Sequence, residues 1–356
     1  MGAPSWAWKQ PTYPNSLRGA LADAGCAVST CSDTIWGVSR LLAKPGPRIL
    51  HLHWMHGLSG GALPVLPVMR SGAFSARLLA AQAAGIKLVW TAHNLRSHEV
   101  VRPKLDDFVT RLVTTRADAI IAHSDEARRI IIEHFGVDPA RVAVILHPGY
   151  IDSYPQTVAP QDARERMGVG PDEFVLLFLG IIRPYKGLHQ LLHALRQIDE
   201  PNLKLRIVGR VRERRDEAPL KALAAQDPRV ELSLSYVPDE ELQLHFGAAD
   251  AAVLPYADVL TSGAAVLAMS FGKACIAPRK GCLVDIFAPG GVFHYDSDAP
   301  DGLVDAIRSC LAERDSAFER GQANKALAAT WTWSSAAEQT LDVYRRIAAG
   351  QSVSPE

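Results

Sequence analysis

Short, fully apolar runs rich in β-branched residues recur along this chain, each followed by a longer helical pattern. A strand without polar alternation is buried on both faces, and that burial is characteristic of a parallel sheet covered by helices. In the first half the predicted strands are 48–54 (RILHLHW), 87–92 (KLVWTA), 119–123 (AIIAH) and 142–146 (VAVIL). Helical patterns lie near 16–25, 72–84, 105–116 and 125–135. In the second half the strands fall at 174–179 (FVLLFL), 204–208 (KLRIV), 230–234 (VELSL), 251–254 (AAVL) and 274–277 (ACIA). Helices are predicted near 188–196, 219–225, 240–246, 264–271, 301–313 and 317–329.

The alternation breaks between about 147 and 172, where Pro148, Gly149, Pro155, Pro160, Gly168, Gly170 and Pro171 cluster. Such a stretch reads as a linker between domains, and 356 residues suit two domains better than one. The expected fold class is α/β, with two Rossmann-like doubly wound domains facing a central cleft. The boundaries are 1–150, a linker at 151–172, a second domain at 173–333, and a helix at 334–350 packing back on the first domain. In such sheets ligands bind beyond the C-terminal strand ends.

Bulk properties narrow the function. Apolar residues make up 48% and charged residues 21%, and no apolar run nears the roughly 20 residues a membrane span needs. MGAPSWAWKQP lacks the apolar core of a secretory signal. The expected location is cytoplasmic, with peripheral contact at the inner membrane face as a further option. Cys26, Cys31, Cys275, Cys282 and Cys310 show neither zinc-finger spacing nor a disulfide framework. Residues 1–150 hold 16 Lys and Arg against 10 Asp and Glu, while 151–356 hold 22 against 28. The zero net charge argues against general nucleic-acid binding. The basic first half would favour an anionic acceptor or membrane surface.

The segment 179–187 (LGIIRPYKG) stands where a strand ends and a helix begins. Gly180 lets the chain turn, Arg183 and Lys186 supply two cations, and the following helix offers unpaired N–H groups. A diphosphate needs those groups. The segment resembles the G-x-[IVL]-x-x-x-K-G signature of GT-B glycosyltransferases, especially glycosyltransferase family 4. In that family the equivalent Arg and Lys bind the nucleotide diphosphate of the donor, which puts those roles on Arg183 and Lys186. The resemblance extends to 206–210 (RIVGR), where Gly209 and Arg210 would approach the nucleotide. It extends also to 236–242 (YVPDEEL), where Tyr236, Val237 and Leu242 would hold the base and Asp239 would cap a helix. The step 247–255 (GAADAAVLP) is similar to the family's xADxxxxP, with Tyr256 following it.

Family 4 normally continues with a pair of glutamates, the first at the sugar and the second at the ribose. Here Val259 and Leu267 stand at those positions. What remains is Thr261, Ser262, Gly263 and Ala264 at a helix start, able to cap the helix and to meet a phosphate. The missing pair points away from a retaining family 4 mechanism. It points toward a related GT-B family, the nearest being bacterial exopolysaccharide β-mannosyltransferases that use GDP-mannose and a lipid-linked glycan.

Two histidine-rich segments, 51–64 (HLHWMHGLSGGALP) and 90–99 (WTAHNLRSHE), end predicted strands of the first half. His93 and Glu99 are the candidate catalytic bases, and His56, Gly57 and Asn94 the candidate acceptor-binding residues. TAHN resembles the family's strand end whose His lies near the transferred sugar. His51 and His53 share a strand face, but no third metal ligand is apparent. No metal is expected, and the nucleotide sugar is a substrate rather than a cofactor. Asn15 and Ser16 read as a turn before the first helix. The implied activity is hexosyl transfer from a nucleotide-diphosphate sugar, GDP-mannose before a UDP-sugar, to a glycan or lipid-linked saccharide. The alternatives are a non-catalytic sugar-nucleotide-binding protein and a GT-B epimerase.

Overall fold

A computed structural model describes residues 13–29, 48–54, 65–96 and 102–353. In chain order the first half contains α1 (Tyr13–Asp23), β1 (Ile49–Leu52), α2 (Val65–Ala83), β2 (Lys87–Thr91), α3 (Pro103–Arg116), β3 (Ala119–Ala122), α4 (Asp125–Phe135) and β4 (Val142–Val144). Then come α5 (Pro160–Arg166), β5 (Phe174–Leu179), α6 (Leu188–Leu195), β6 (Leu203–Val208), α7 (Glu217–Ala224), β7 (Val230–Ser233) and α8 (Leu242–Ala248). The chain ends with β8 (Ala251–Val253), α9 (Gly263–Ser270), β9 (Ala274–Pro278), β10 (Val292–Tyr295), α10 (Gly302–Ala312), α11 (Ala317–Ala329) and α12 (Trp333–Ala348). These form two compact units, one running to Leu146 and resuming at Trp333, the other spanning His147–Thr332.

The first unit holds a parallel sheet in the order β1-β2-β3-β4 among the described residues. Strand periodicity sends alternate side chains to opposite faces. Val89, Ile121, Ala143 and Ile145 meet Ala336, Val343 and Ile347 of α12. Helix α1 lies beside α12, with Tyr13, Leu17 and Leu21 clustered on Ala337. Helices α2, α3 and α4 contact the strands from their other side chains, with Phe74, Leu78, Val109, Val113 and Ile131 buried. Helix α4 shows how local chemistry sets a boundary: Ser124 Oγ accepts from the Ala127 amide at 3.0 Å, and Gly136 ends the helix in the left-handed region.

The second unit holds a six-stranded parallel sheet in the order β10-β9-β8-β5-β6-β7. From β5 the chain winds outward through β6 and β7, then returns to the other side of β5 with β8 and continues outward. The reversal lies between β5 and β8, at whose C-terminal ends sheets of this kind form a ligand-binding crevice.

Four features differ from the sequence expectations. Residues 151–172, read as a linker, include α5, whose Pro160 occupies the first turn, where a missing N–H costs nothing. Arg164 fastens α5 by pairing with Asp250 at 3.1 Å and donating to the Gly170 and Glu173 carbonyls, while Asp250 also accepts from the Val175 amide at 2.7 Å. Strand β10 was not expected; it is a short edge strand whose burial alternates, so VFHY lacks the continuous apolar run of its neighbours. Asn15 and Ser16 lie inside α1 rather than in a turn before it. Asp239 opens a short 3₁₀ turn with Pro238 at the cap position, and it caps no helix. Replacing Arg164 by Ala would leave Asp250 and two carbonyls short of a partner. The second unit should lose about 2–3 kcal/mol in chemical denaturation.

Candidate functional site

The crevice of the second unit is built from three glycines with positive φ. Gly180 (φ 143°) and Gly209 (φ 145°) follow β5 and β6, and a Cβ on Gly209 would run into the Gly180 carbonyl oxygen. Gly187 (φ 70°) ends the 3₁₀ turn Pro184–Lys186, and a Cβ there would run into the Pro255 carbonyl oxygen beyond β8. No L side chain fits at either contact, so the loops after β5, β6 and β8 meet backbone to backbone. The Ala257 amide donates to the Tyr185 carbonyl at 2.8 Å, and the Ile182 amide donates to the Arg210 carbonyl at 2.9 Å.

Into this junction the turn delivers Lys186. Its Nζ lies 3.0 Å from the position a Gly180 Cβ would take, 5.4 Å from the Tyr256 ring centre and 5.7 Å from that of Phe178. No carboxylate pairs with it among the described residues. Burial first, and the neighbouring Arg183 second, pull its pKa down to about 8. Lys186 thus stands over two aromatic faces beside Arg183, and a cation so perturbed often marks a functional site. Arg183 is half-buried at the extended residue before the turn, and Arg210 is exposed after Gly209.

Helix α9 borders the same loops. Ser262 Oγ accepts from the Ala265 amide at 3.1 Å, so Ser262 rather than Thr261 is the cap. The Tyr256 ring forms the aromatic floor beneath Lys186, and its hydroxyl is buried without a hydrogen-bond partner among the described residues. Thr261 Oγ1 is buried without a hydrogen-bond partner among the described residues. Gly263 faces a pair that the sequence reading passed over: a Cβ there would stand 3.3 Å from the Tyr150 hydroxyl and 3.8 Å from His147 Nε2. His147 Nδ1 donates to the Pro148 carbonyl at 2.9 Å, which leaves Nε2 to accept from Tyr150 at 3.4 Å. Burial lowers the His147 pKa to about 4 and raises that of Tyr150. Their only sequence signal was two polar residues flanking Pro148 and Gly149, which read as linker.

Tyr236, Val237 and Leu242 follow β7, whose Ser233 carbonyl accepts from the Gly209 amide at 2.9 Å. Tyr236 is exposed. Leu242 is buried in the core and Val237 and Ala264 pack against it, so the side chain of Leu242 faces away from any ligand.

In the first unit, three adjacent strands bring histidines to one sheet edge. His51 and His53 come from the end of β1, His93 from beyond β2 and His123 from beyond β3. His53 Nδ1 and His93 Nε2 are 3.3 Å apart, and the His93 ring stacks on Trp54 at 4.6 Å and meets His123 at 5.1 Å. Tyr13 packs within 5.6 Å of His53, His93 and His123. His51 bonds the Tyr344 hydroxyl of α12 at 2.6 Å and Thr91 Oγ1 at 2.7 Å. His123 was missed, although AIIAH repeats the strand-then-His pattern of WTAH. Asn94 is half-buried beside His93. Glu99, His56 and Gly57 lie outside the described residues. Among the described residues no group of three or more His, Cys, Asp or Glu is arranged to hold a metal ion.

Comparison with known proteins places this architecture. Residues 161–326 match the family of Glycosyl transferases group 1, and residues 2–147 match the Glycosyl transferase 4-like domain. A GDP-mannose:glycolipid 4-beta-D-mannosyltransferase of Xanthomonas campestris pv. campestris is 29% identical over 284 residues, covering 75% of each chain. A D-inositol 3-phosphate glycosyltransferase of Geodermatophilus obscurus is 30% identical over 288 residues, covering 74% of this chain and 61% of that protein. Among solved structures, sucrose-phosphate synthase of Thermosynechococcus elongatus aligns with a TM-score of 0.72 at 19% identity, covering 95% of this chain and 93% of that one. Anabaena HepE in complex with UDP and glucose aligns with a TM-score of 0.64 at 21% identity, over 77% and 76%. Two parallel α/β units, matching glycosyltransferase families over 2–147 and 161–326, define a sugar-transferring enzyme class. The chain belongs to the GT-B glycosyltransferases.

The histidine edge carries a pH signature. Burial, then the nearby His123, lowers the His51 pKa from 6.5 to about 3, and burial, then His51, pushes His53 well below its ordinary value. The unfolded chain protonates near pH 6.5 where the folded one does not, so the unfolded state binds the extra protons between these limits. Stability of the first unit should be full above pH 6.5 and fall toward pH 3, by at most about 1.4 kcal/mol per pH unit for each histidine. Thermal unfolding at pH 7, 6 and 5 should show this decline, with a shallower slope in His51→Gln.

Proposed function

We propose that this glycosyltransferase is a hexosyltransferase that uses GDP-mannose, with a UDP-sugar as the next choice, and that its acceptor is a glycan or a lipid-linked saccharide. The Xanthomonas relative, named for GDP-mannose and a glycolipid, supports the donor and acceptor. Lys186 carries the assignment of the donor site: a buried ammonium beside Arg183, with no carboxylate to pair with among the described residues. We assign the diphosphate to Arg183, Lys186 and the first amides of α9, with Gly180 and Gly209 allowing its close approach. Tyr236 and the backbone of 236–242 are assigned to the base, and Arg210, Tyr256, Thr261 and Ser262 to the walls around the phosphates.

In this mechanism the acceptor hydroxyl loses its proton to His93 or Glu99 and attacks the anomeric carbon. The bond from that carbon to the diphosphate oxygen breaks, and the departing charge is met by Arg183, Lys186 and the α9 amides. These cations and dipoles supply the countercharge, so we assign no metal. His56, Gly57 and Asn94 remain the proposed acceptor contacts. An epimerase would need carboxylates at the donor sugar, where Val259 and Leu267 stand, and it is the less favoured reading. A non-catalytic binder would bind donor without transferring it.

Arg183→Ala and Lys186→Ala should each lower kcat/KM at least a hundredfold while the protein stays folded. A thermal-shift screen of GDP-, UDP-, ADP- and TDP-sugars should give its largest shift with GDP-mannose, and no shift with any donor would sink the proposal. Because Lys186 must be protonated to hold the diphosphate, affinity for GDP should fall as pH rises through about 8. Nucleotide phosphates titrate below that window, and Lys186→Arg should remove the dependence. His93→Ala should lower kcat by about 10²-fold or more with little change in donor affinity. Near-normal turnover in both His93→Ala and Glu99→Gln would exclude both as the base.

A further inference from the structure

Helix α2 is apolar on both sides. Its inner face buries Phe74, Leu78 and Ala81. Its outer face presents Val68, Met69, Gly72, Ala76, Leu79, Ala80 and Ala83, all exposed, with Val68 at 57%, Met69 at 64% and Leu79 at 39%. A helix that is hydrophobic all round is normally covered on all sides. The 19 residues of α2 include no acidic side chain, and its charged residues are Arg70 and Arg77.

Helix α3 packs beside α2, and the Gln82 side chain donates to the Arg116 carbonyl at 2.7 Å, joining their C-terminal ends. Along α3, Lys104, Phe108, Arg111 and Thr115 fall at helical spacing on one exposed line, with Phe108 55% exposed. Of the two acidic residues of α3, Asp106 is buried and Asp107 is paired with Arg111 at 2.9 Å. The two helices together offer an apolar strip bordered by five basic residues and one neutralised carboxylate.

We propose that the outer face of α2, with Lys104, Phe108 and Arg111 of α3, docks the enzyme on an anionic lipid bilayer. The proposal rests on the reading that the acceptor is lipid-linked, and it locates the surface that would meet the lipid. Apolar side chains enter the headgroup boundary while Arg and Lys pair with lipid phosphates, which is the pattern of a helix lying in the interface. No helix among the described residues is long and apolar enough to cross a membrane, so α2 lies on the bilayer rather than spanning it. A second copy of the chain is a poorer occupant, because a two-fold contact would set Arg70 and Arg77 against their own counterparts.

The test is flotation of the full-length protein with phosphatidylcholine vesicles, with and without about one-third phosphatidylglycerol, at low and high salt. Wild type should float with the anionic vesicles and far less with the neutral ones, and salt should weaken it. Val68→Asp with Met69→Asp should reduce partitioning at least tenfold, as should Arg70→Glu with Lys104→Glu. A cooperative thermal unfolding transition and far-UV circular dichroism matching wild type report that the substituted unit of each variant is folded. Wild type failing to float, or floating equally well with the α2 pair replaced, would overturn the proposal. So would a dimer in sedimentation that the Val68 and Met69 replacements dissolve. Vesicle binding needs neither donor nor acceptor, so its failure and a failure to glycosylate lipid-linked acceptors are separate results.

Discussion

The second unit depends on the contact between the ends of β5 and β6. Gly209 stands against the Gly180 carbonyl so closely that Gly209 has no room for a Cβ where the chains meet. That approach lets the segment after β5 run beside the one after β6 as far as Ile182 and Val211 before it turns. The turn then folds Lys186 back over Gly180, and Gly187 seats it on the Pro255 carbonyl. An ammonium held there has lost much of its water without gaining a carboxylate among the described residues, an arrangement that disfavours its charged form until an anion arrives. The free energy that would stabilise a free ion pair is thereby left available for a ligand. The reversal of strand order supplies the crevice, and the glycines place the cation inside it.

The first unit solves a different problem at its own sheet edge. Parallel strands β1, β2 and β3 each end in polar residues, and four histidines gather there under Tyr13. Enclosure keeps His51 and His53 neutral at ordinary pH, so the edge is polar and hydrogen-bonded without being a cluster of like charges. Tyr344 takes part by bonding His51, and α12 covers the sheet face below. The last helix of the chain therefore both closes the hydrophobic face of this unit and orients one of its edge histidines.

What was legible in the sequence follows from these physics. FVLLFL and AIIA announce buried parallel strands because nothing polar interrupts them. The run 180–187 was legible as a strand-to-helix junction because Gly180 follows an apolar strand and Gly187 precedes a helix, whereas its donor role came from resemblance alone. VFHY was not legible as a strand because an edge strand needs only one buried face, and His294 broke the run. Pro160 misled in the same region that hid α5, since proline both ends helices and begins them. Tyr150 and His147 lay in a Pro-Gly stretch, and only the fold shows them beside Gly263. Leu242 was assigned to the site from its loop, but burial in the core leaves only its backbone for a ligand.

The residues that replace the expected glutamate pair constrain the chemistry most. Leu267 lies one turn beyond Gly263 on α9, and both Leu267 and Val259 pack against the core of the second unit. Neither can accept a hydrogen bond from a hydroxyl, so a carboxylate clamp on sugar and ribose is absent from these positions. The helix start itself is intact, with Ser262 capping it and Gly263 facing the Tyr150 hydroxyl. Gripping the diphosphate and recognising the sugar are thus separable in this fold. The grip uses backbone geometry, which the glycines enforce, whereas sugar recognition uses side chains that can change without disturbing it. A phenol hydrogen-bonded to a neutral imidazole beside Gly263 offers a different set of polar atoms from a carboxylate pair, and it carries no charge of its own. In the proposed mechanism the charge opposing the leaving diphosphate comes from Arg183, Lys186 and the helix amides.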